Sequence, residues 1–314
     1  MSLSSALANP QGATIETLTE QLESILLGKQ QQVQLAICCL IAGGHLLVED
    51  RPGVGKTTLA QALGQSLGMN WTRVQFTNDL LPADITGVSV FDQRESDFTF
   101  KPGPVFTQIL MADEINRAPP RAQSALLEAM EERQVTVDGN THKLDDQFFV
   151  IATQNPADRA GAYPLPESQL DRFLVGIELG YPDEDVEKSL LMRPRNHNQS
   201  KSLHAICNGD DLERWQTDVD RIHVSQAIAD YTHALLQASR QREEQQNDCR
   251  ALSPRAGINL VAMARAHAYV HQRSMVLPDD IQAVFCPVAA HRLKGTVAAG
   301  TIVARELLAQ VALN

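Results

Sequence analysis

The sequence predicts an α/β fold: a parallel five-stranded sheet covered by helices, followed by a smaller all-helical region. Two observations carry this. Five short apolar runs, HLLVED (45–50), TRVQFT (72–77), ILMADE (109–114), FFVIATQN (148–155) and RFLVGIEL (172–179), are mostly separated by helix-like segments. Such alternation builds a mostly parallel sheet with both faces covered. After GYPDED (180–185) the strand signals stop and only helical segments follow, from DVEKSLLM to TIVARELLAQVAL. The expected division is an α/β core over 1–181 and a helical region over 182–314.

Each element has its own signal. The run 45–50 leads through RPGVGKT into TTLAQALGQSLG (57–68), where Leu59, Leu63 and Leu67 share one helical face. The stretch GVSVFDQRESDFTFKPG (87–103) alternates around a polar turn and reads as a β-hairpin. RAQSALLEAMEE (121–132) follows two prolines suited to a helix start. QVTVDGNTHKL (134–144) makes a second hairpin around Asp138-Gly139. Neither hairpin is needed by the sheet, so each is either a surface hairpin or a contact to a partner. The polar stretch 193–211 is a loop between helices.

Composition narrows the class. The 314 residues are 43% hydrophobic, enough for a sizeable core. No run approaches the roughly 18 apolar residues of a membrane span, and the polar start lacks the regions of a signal peptide. A cytoplasmic protein with no membrane span is expected. Net charge is −11, from 27 basic and 38 acidic residues, which disfavours a nucleic-acid partner. Five cysteines with no C-x-x-C pair read as reduced, structural thiols. His267 and His271, four apart, lack the carboxylate pattern of a metalloprotease and read as a solvated helix face.

The chemistry starts at VEDRPGVGKTT (48–58). A phosphate loop needs converging backbone N–H groups, a cation, a hydroxyl for Mg²⁺ and a following helix N-terminus. Pro52, Gly53, Val54, Gly55, Lys56, Thr57 and Thr58 supply these, although Asp50 stands where the pattern G-x-x-x-x-G-K-[ST] has its first glycine. That glycine serves the turn rather than the phosphate, and Pro52-Gly53 can make the turn instead. ILMADEINR (109–117) delivers Asp113, suited to Mg²⁺ through water, and Glu114, suited to polarising the attacking water. Asn155 in ATQNP is either a water- or phosphate-orienting amide or a turn residue before Pro156.

These segments, with LLPADITG, FKPGPVFTQILMADEINRAPPRAQSALLEAMEERQVTV, PLPESQLDRF and LSPRAGINLVAMARAHA, resemble MoxR-type AAA+ ATPases of the branch with an insert in helix 2. The resemblance covers nearly the whole chain, and many members of the family carry the same Glu-Asp pair before the loop. It implies a P-loop AAA+ core with a small all-α lid, ATP and Mg²⁺ as cofactors, and a ring of identical subunits, expected to be a hexamer. It implies Walker A at Lys56 and Thr57, Walker B at Asp113 and Glu114, and sensor 1 at Asn155. Arg172 would be the arginine finger acting on the neighbour's nucleotide. Arg255 would be sensor 2, reaching the γ-phosphate of its own chain. Leu27 and Gly28, in ILLGKQ, would flank the base. The hairpin 87–103 would be the insert near the ring's pore. Arg159, in NPADRAGAYPLP, departs from the commoner family wording and either acts across an interface or binds a nearby carboxylate; Arg117 is a further alternative for a role in trans.

The implied activity is ATP hydrolysis that remodels or matures a partner protein, in a chaperone-like manner and often with a von Willebrand factor A domain protein. The rivals are a chelatase-like motor subunit, a nucleic-acid or restriction translocase, and a nucleotide-regulated scaffold with little turnover. A translocase would need a basic pore lining or an added DNA-reading domain, and intact Glu114 and Arg172 argue against a scaffold.

Overall fold

Thr14 starts the first helix by accepting the Thr17 backbone N–H on its Oγ1 at 3.3 Å, which satisfies one donor left free by the first turn. The structure is a computed structural model that describes residues 14–94, 96–156, 161–192 and 203–312. Helices α1 (Ile15–Ile25) and α2 (Gln30–Ile41) lead to β1 (Leu46–Glu49), α3 (Lys56–Ser66), β2 (Trp71–Gln75) and α4 (Pro82–Thr86). The hairpin β3 (Gly87–Asp92) and β4 (Asp97–Pro102) is followed by β5 (Ile109–Asp113) and α5 (Pro120–Glu132). A second hairpin, β6 (Gln134–Val137) and β7 (Asn140–Lys143), precedes β8 (Phe149–Gln154), α6 (Glu167–Leu170) and β9 (Val175–Ile177). Beyond β9 the described elements are all helices: α7 (Glu184–Leu191), α8 (Gly209–Asp220), α9 (Gln226–Gln246), α10 (Pro254–Val270), α11 (Pro278–Lys294) and α12 (Val297–Gln310).

The five expected strands form one parallel sheet in the order β2-β5-β8-β1-β9. Alternation along each strand divides the core into two layers. Leu46, Val48, Ile109, Met111, Phe149 and Ile151 face the larger cluster, shared with α2, α3 and the C-terminal helices. Leu47, Leu110, Ala112, Val150 and Ala152 face the smaller one, closed by α5. Because the strands are parallel, Glu49, Asp113 and Gln154 finish on one edge of the sheet while His45 and Leu174 start at the other.

Both hairpins form as expected and stand outside this sheet. Asp138 (φ 50°) and Gly139 (φ 80°) take the left-handed values a two-residue hairpin turn demands. Phe91 and Phe98 cap β3-β4 edge to face at 5.3 Å, 49% and 68% exposed. The C-terminal helices are packed onto the sheet rather than held apart from it: α11 lies against β9, and α10 against α2 and α8. A methyl group on Gly300 would fall 1.8 Å from the Ala290 carbonyl oxygen, so only glycine lets α12 close on α11.

The five cysteines are free, and all but Cys286 are buried. The solvated face expected for His267 is not found. Its Nδ1 lies 2.6 Å from buried Asp280, because α10 turns this side toward α11, a packing that helical spacing alone does not reveal. His271 contacts the His267 ring and Gln34. No helix among the described residues is long and apolar enough to cross a membrane.

Candidate functional site

At the C-terminal edge of the sheet, the loop between β1 and α3 borders a cavity of about 550 Å³. Pro52, Gly53, Gly55, Lys56, Thr57 and Thr58 line one side; Arg73, Gln75, Thr77, Asp113, Glu114 and Arg117 line the rest. Gly55 caps α3 with φ 103°, a backbone conformation other residues adopt only under strain, which directs the first N–H groups of the helix toward the cavity. Lys56 is buried to 9% exposure, and its Nζ donates to the Asp50 carbonyl at 2.7 Å. Burial lowers its pKa, with Asp113, Asp50 and Glu114 opposing. Val54 turns away and packs on the larger core cluster.

The two acidic residues are held by a residue the motif does not contain. Thr153 on β8 donates from Oγ1 to Asp113 Oδ1 at 2.6 Å and accepts the Glu114 backbone N–H at 2.9 Å. Glu114 itself sits in the left-handed region (φ 56°, ψ 49°). Such a conformation costs a non-glycine residue roughly 1–3 kcal/mol and concentrates at functional sites. Gln75 Nε2 donates to Glu114 Oε2 at 2.9 Å, and Arg117 pairs with the same oxygen at 3.2 Å. Arg73 donates to Asp113 Oδ2 from Nε at 3.1 Å and also from Nη2. The register pairs Gln75 with Asp113 across β2 and β5. Polar residues two apart at the end of the strand beside Asp113 were the available signal for Arg73 and Gln75.

The cavity suits a nucleoside triphosphate with Mg²⁺. Its volume lies within the roughly 300–1,000 Å³ of small-ligand sites. One wall offers backbone N–H groups, an ammonium and the Thr57 hydroxyl, and the opposite wall offers two carboxylates. Asn155 does not line it. Among the described residues it belongs to a neighbouring cavity of about 370 Å³ with Asn116, Gln154, Pro156 and Thr296. Gly28 (φ 70°) backs onto Val186 of α7, and Leu26 Cδ2 lies 3.8 Å from where a Gly55 Cβ would be. Arg159 lies outside the described residues.

Asp50, the unexpected aspartate, binds backbone at two points: Oδ1 accepts the Arg51 N–H at 2.7 Å, and Oδ2 accepts the Gly180 N–H at 2.6 Å. Glu49 beside it is fully buried; its carboxylate accepts Gln154 Nε2 and, at 2.6 Å, the Val297 N–H at the start of α12. Burial raises its pKa to about 7, although both hydrogen bonds act to lower it.

Arg172 and Arg255 meet at the other end of the sheet. Arg172 Nη2 lies 2.9 Å from Glu131 Oε2, and Arg255 Nη2 lies 2.7 Å from Glu131 Oε1. All three line a cavity with Gly43, Gly44, His45 and Leu174, at the N-terminal ends of β1 and β9. Arg255 and Lys56 thus line cavities at opposite ends of β1, a strand whose four residues span roughly 10 Å. Arg255, expected as a same-chain sensor, does not line the loop cavity in this chain. The cause is how the lid docks: Ser253, the N-cap of α10, donates to Asp171 at 3.2 Å and fixes the start of α10 beside Arg172.

Residues 45–175 match the family described as ATPase family associated with various cellular activities (AAA), and residues 239–310 match the AAA lid domain. The chain is 43% identical to YeaC of Bacillus subtilis over 87% of its own length and 85% of that protein's. It is 38% identical to Chaperone MoxR1 of Mycobacterium tuberculosis, over 96% of this chain and 80% of that one. With Protein MoxR of Paracoccus denitrificans it shares 31% identity over 87% and 86%. A crystal structure of a protein from Cytophaga hutchinsonii superposes with a TM-score of 0.85 at 33% identity, covering 96% of this chain and 94% of that one.

Proposed function

As the chain belongs to the MoxR family of AAA+ ATPases, we propose that it hydrolyses ATP in a ring of identical subunits and spends the turnover on remodelling a partner protein. The observation that carries this reading is the separation of the expected site residues into two groups. Lys56, Thr57, Asp113 and Glu114 stand at one edge of the sheet, while Arg172 and Arg255 converge at the opposite edge. The arginines that do line the loop cavity, Arg73 and Arg117, are already engaged by Asp113 and Glu114. A second copy in head-to-tail contact would bring Arg172 and Arg255, which share Glu131, to the phosphates, and a repeated head-to-tail contact that closes makes a ring.

In this reading Lys56 and the loop N–H groups bind the phosphates, and Glu114, aimed by Thr153 and Gln75, orients water and takes its proton. Mg²⁺, held through Thr57 and by Asp113 through water, would neutralise the β- and γ-phosphate oxygens. Arg172 and Arg255 of the neighbour would stabilise charge as the γ-phosphoryl transfers. The chaperone-like role is supported by the name of the Mycobacterium relative and by the apolar tip of β3-β4, where Phe91 and Phe98 face solvent. A partner with a von Willebrand factor A domain fits the family resemblance.

The test is Mg²⁺-dependent ATP hydrolysis measured against protein concentration, with light scattering on the same samples. Activity per subunit should rise as rings assemble. Full activity in samples that scatter as monomers would sink the shared-site reading.

A further inference from the structure

A buried guanidinium is costly unless its N–H groups all find acceptors. Arg292 on α11 has a side chain only 5% exposed. Its Nε donates to Asp171 Oδ1 at 2.7 Å; Nη2 donates to the Asp171 carbonyl at 3.1 Å and the Phe173 carbonyl at 2.6 Å. Nη1 donates to the Leu174 carbonyl at 3.3 Å and to the Val288 carbonyl. Three of these acceptors are backbone oxygens on either side of Arg172, so one rigid fork sets the turn that presents it. His291 adds a contact from Nε2 to the Phe173 carbonyl at 3.1 Å.

The same carboxylate reaches Arg255. Asp171 accepts Ser253 Oγ, whose residue caps α10 two positions before Arg255, and Arg255 Nε lies 4.0 Å from Asp171 Oδ2. Arg172 follows Asp171 in the chain, and both arginines end on Glu131. Asp171 is thus the junction between the two arginines, and Arg292 is what orients Asp171.

We propose that Arg292 is a positioning residue for hydrolysis: through Asp171 and the 171–174 turn it holds Arg172 and Arg255 side by side, so that both reach the neighbouring subunit's nucleotide together. This rests on the shared-site reading above. A residue that merely docked the lid would, when changed, lower stability and ATP binding together with hydrolysis, and the loss would not be complemented by a neighbour. A positioning residue needs the planar fork, which lysine lacks.

The experiment uses Arg292→Lys in the full chain. ATP affinity should stay within about twofold of the parent, because the phosphate loop is untouched. Hydrolysis in the homo-oligomer should fall by roughly 10²-fold, the size expected for a misplaced catalytic group. Adding Lys56→Ala subunits, which carry intact arginines but no working loop, should restore hydrolysis above the sum of the separate activities. Asp171→Asn, which keeps the shape but loses the charge facing Arg292, should behave the same way and stands in if Arg292→Lys does not assemble. Parental activity, or a defect that Lys56→Ala subunits do not complement, overturns the proposal. Arg172→Ala mixed with Lys56→Ala is run in parallel. If that pair complements and the Arg292→Lys pair does not, only the positioning role falls; if neither complements, the shared-site reading falls with it.

Discussion

Asp50 Oδ2 accepts the backbone N–H of Gly180 at 2.6 Å. The aspartate that replaces the first glycine of the phosphate loop therefore ties the loop to the segment leading from the last strand into the helical lid. Asp50→Gly, which restores the general motif, should destabilise the protein by about 1–2 kcal/mol, since a charge-assisted bond to a partly buried N–H is lost and flexibility is gained. Thermal unfolding of the two proteins checks this, and an equal or higher midpoint in the variant would refute it.

Lys56→Ala should abolish ATP binding in calorimetry, while Glu114→Gln should bind ATP and turn it over roughly 10²–10⁴-fold more slowly. Glu114→Gln retains an oxygen for Gln75 but cannot accept a proton. Turnover within about threefold of the parent would place the base elsewhere.

Arg255→Ala should resemble Arg172→Ala: dilute subunits bind ATP as tightly as the parent, and assembled ones lose hydrolysis by roughly 10³-fold or more. A sensor acting on its own chain's γ-phosphate would instead weaken ATP binding by the dilute subunit. Calorimetry below the assembly concentration separates the two.

Burial lifts Glu49 to about 7 from an ordinary 4.5, so the folded protein retains a proton that the unfolded chain has released between those values. The sign follows from linkage: the group's contribution to stability is full below about 4.5 and is lost as pH rises through about 7. A shift of this size corresponds to at most about 3 kcal/mol. Glu49→Gln, uncharged throughout, should show a smaller fall in unfolding midpoint from pH 5 to pH 8 than the parent. Parallel pH profiles would assign the titration to another group.

Much of the fold was legible because it rests on local rules. Leu46, Leu47 and Val48 form a continuous apolar run because the strand is buried on both faces; Asp138-Gly139 is a hairpin turn because the chain needs positive φ there. The loop at Gly53–Thr58 and the pair Asp113-Glu114 were readable for the same reason, since the loop's N–H groups and cation are contiguous in sequence, as are the two carboxylates, each set at the end of its own strand. Thr153, which holds both acidic residues, lies 39 and 40 positions away from them and carries no local mark.

The sequence by itself determined the strands, the hairpins, the phosphate loop and the kind of chemistry they can hold. The tertiary structure decided where the lid sits, and therefore what Arg255 can reach. Arg292, Asp171 and Ser253 lie far apart in the chain, and their bonds depend on the order of strands and on α11 crossing β9. Periodicity reports which face of a helix is buried but not what buries it. An arginine at a helix start can therefore be recognised from the sequence, while its distance from Lys56 depends on contacts between segments more than a hundred residues apart.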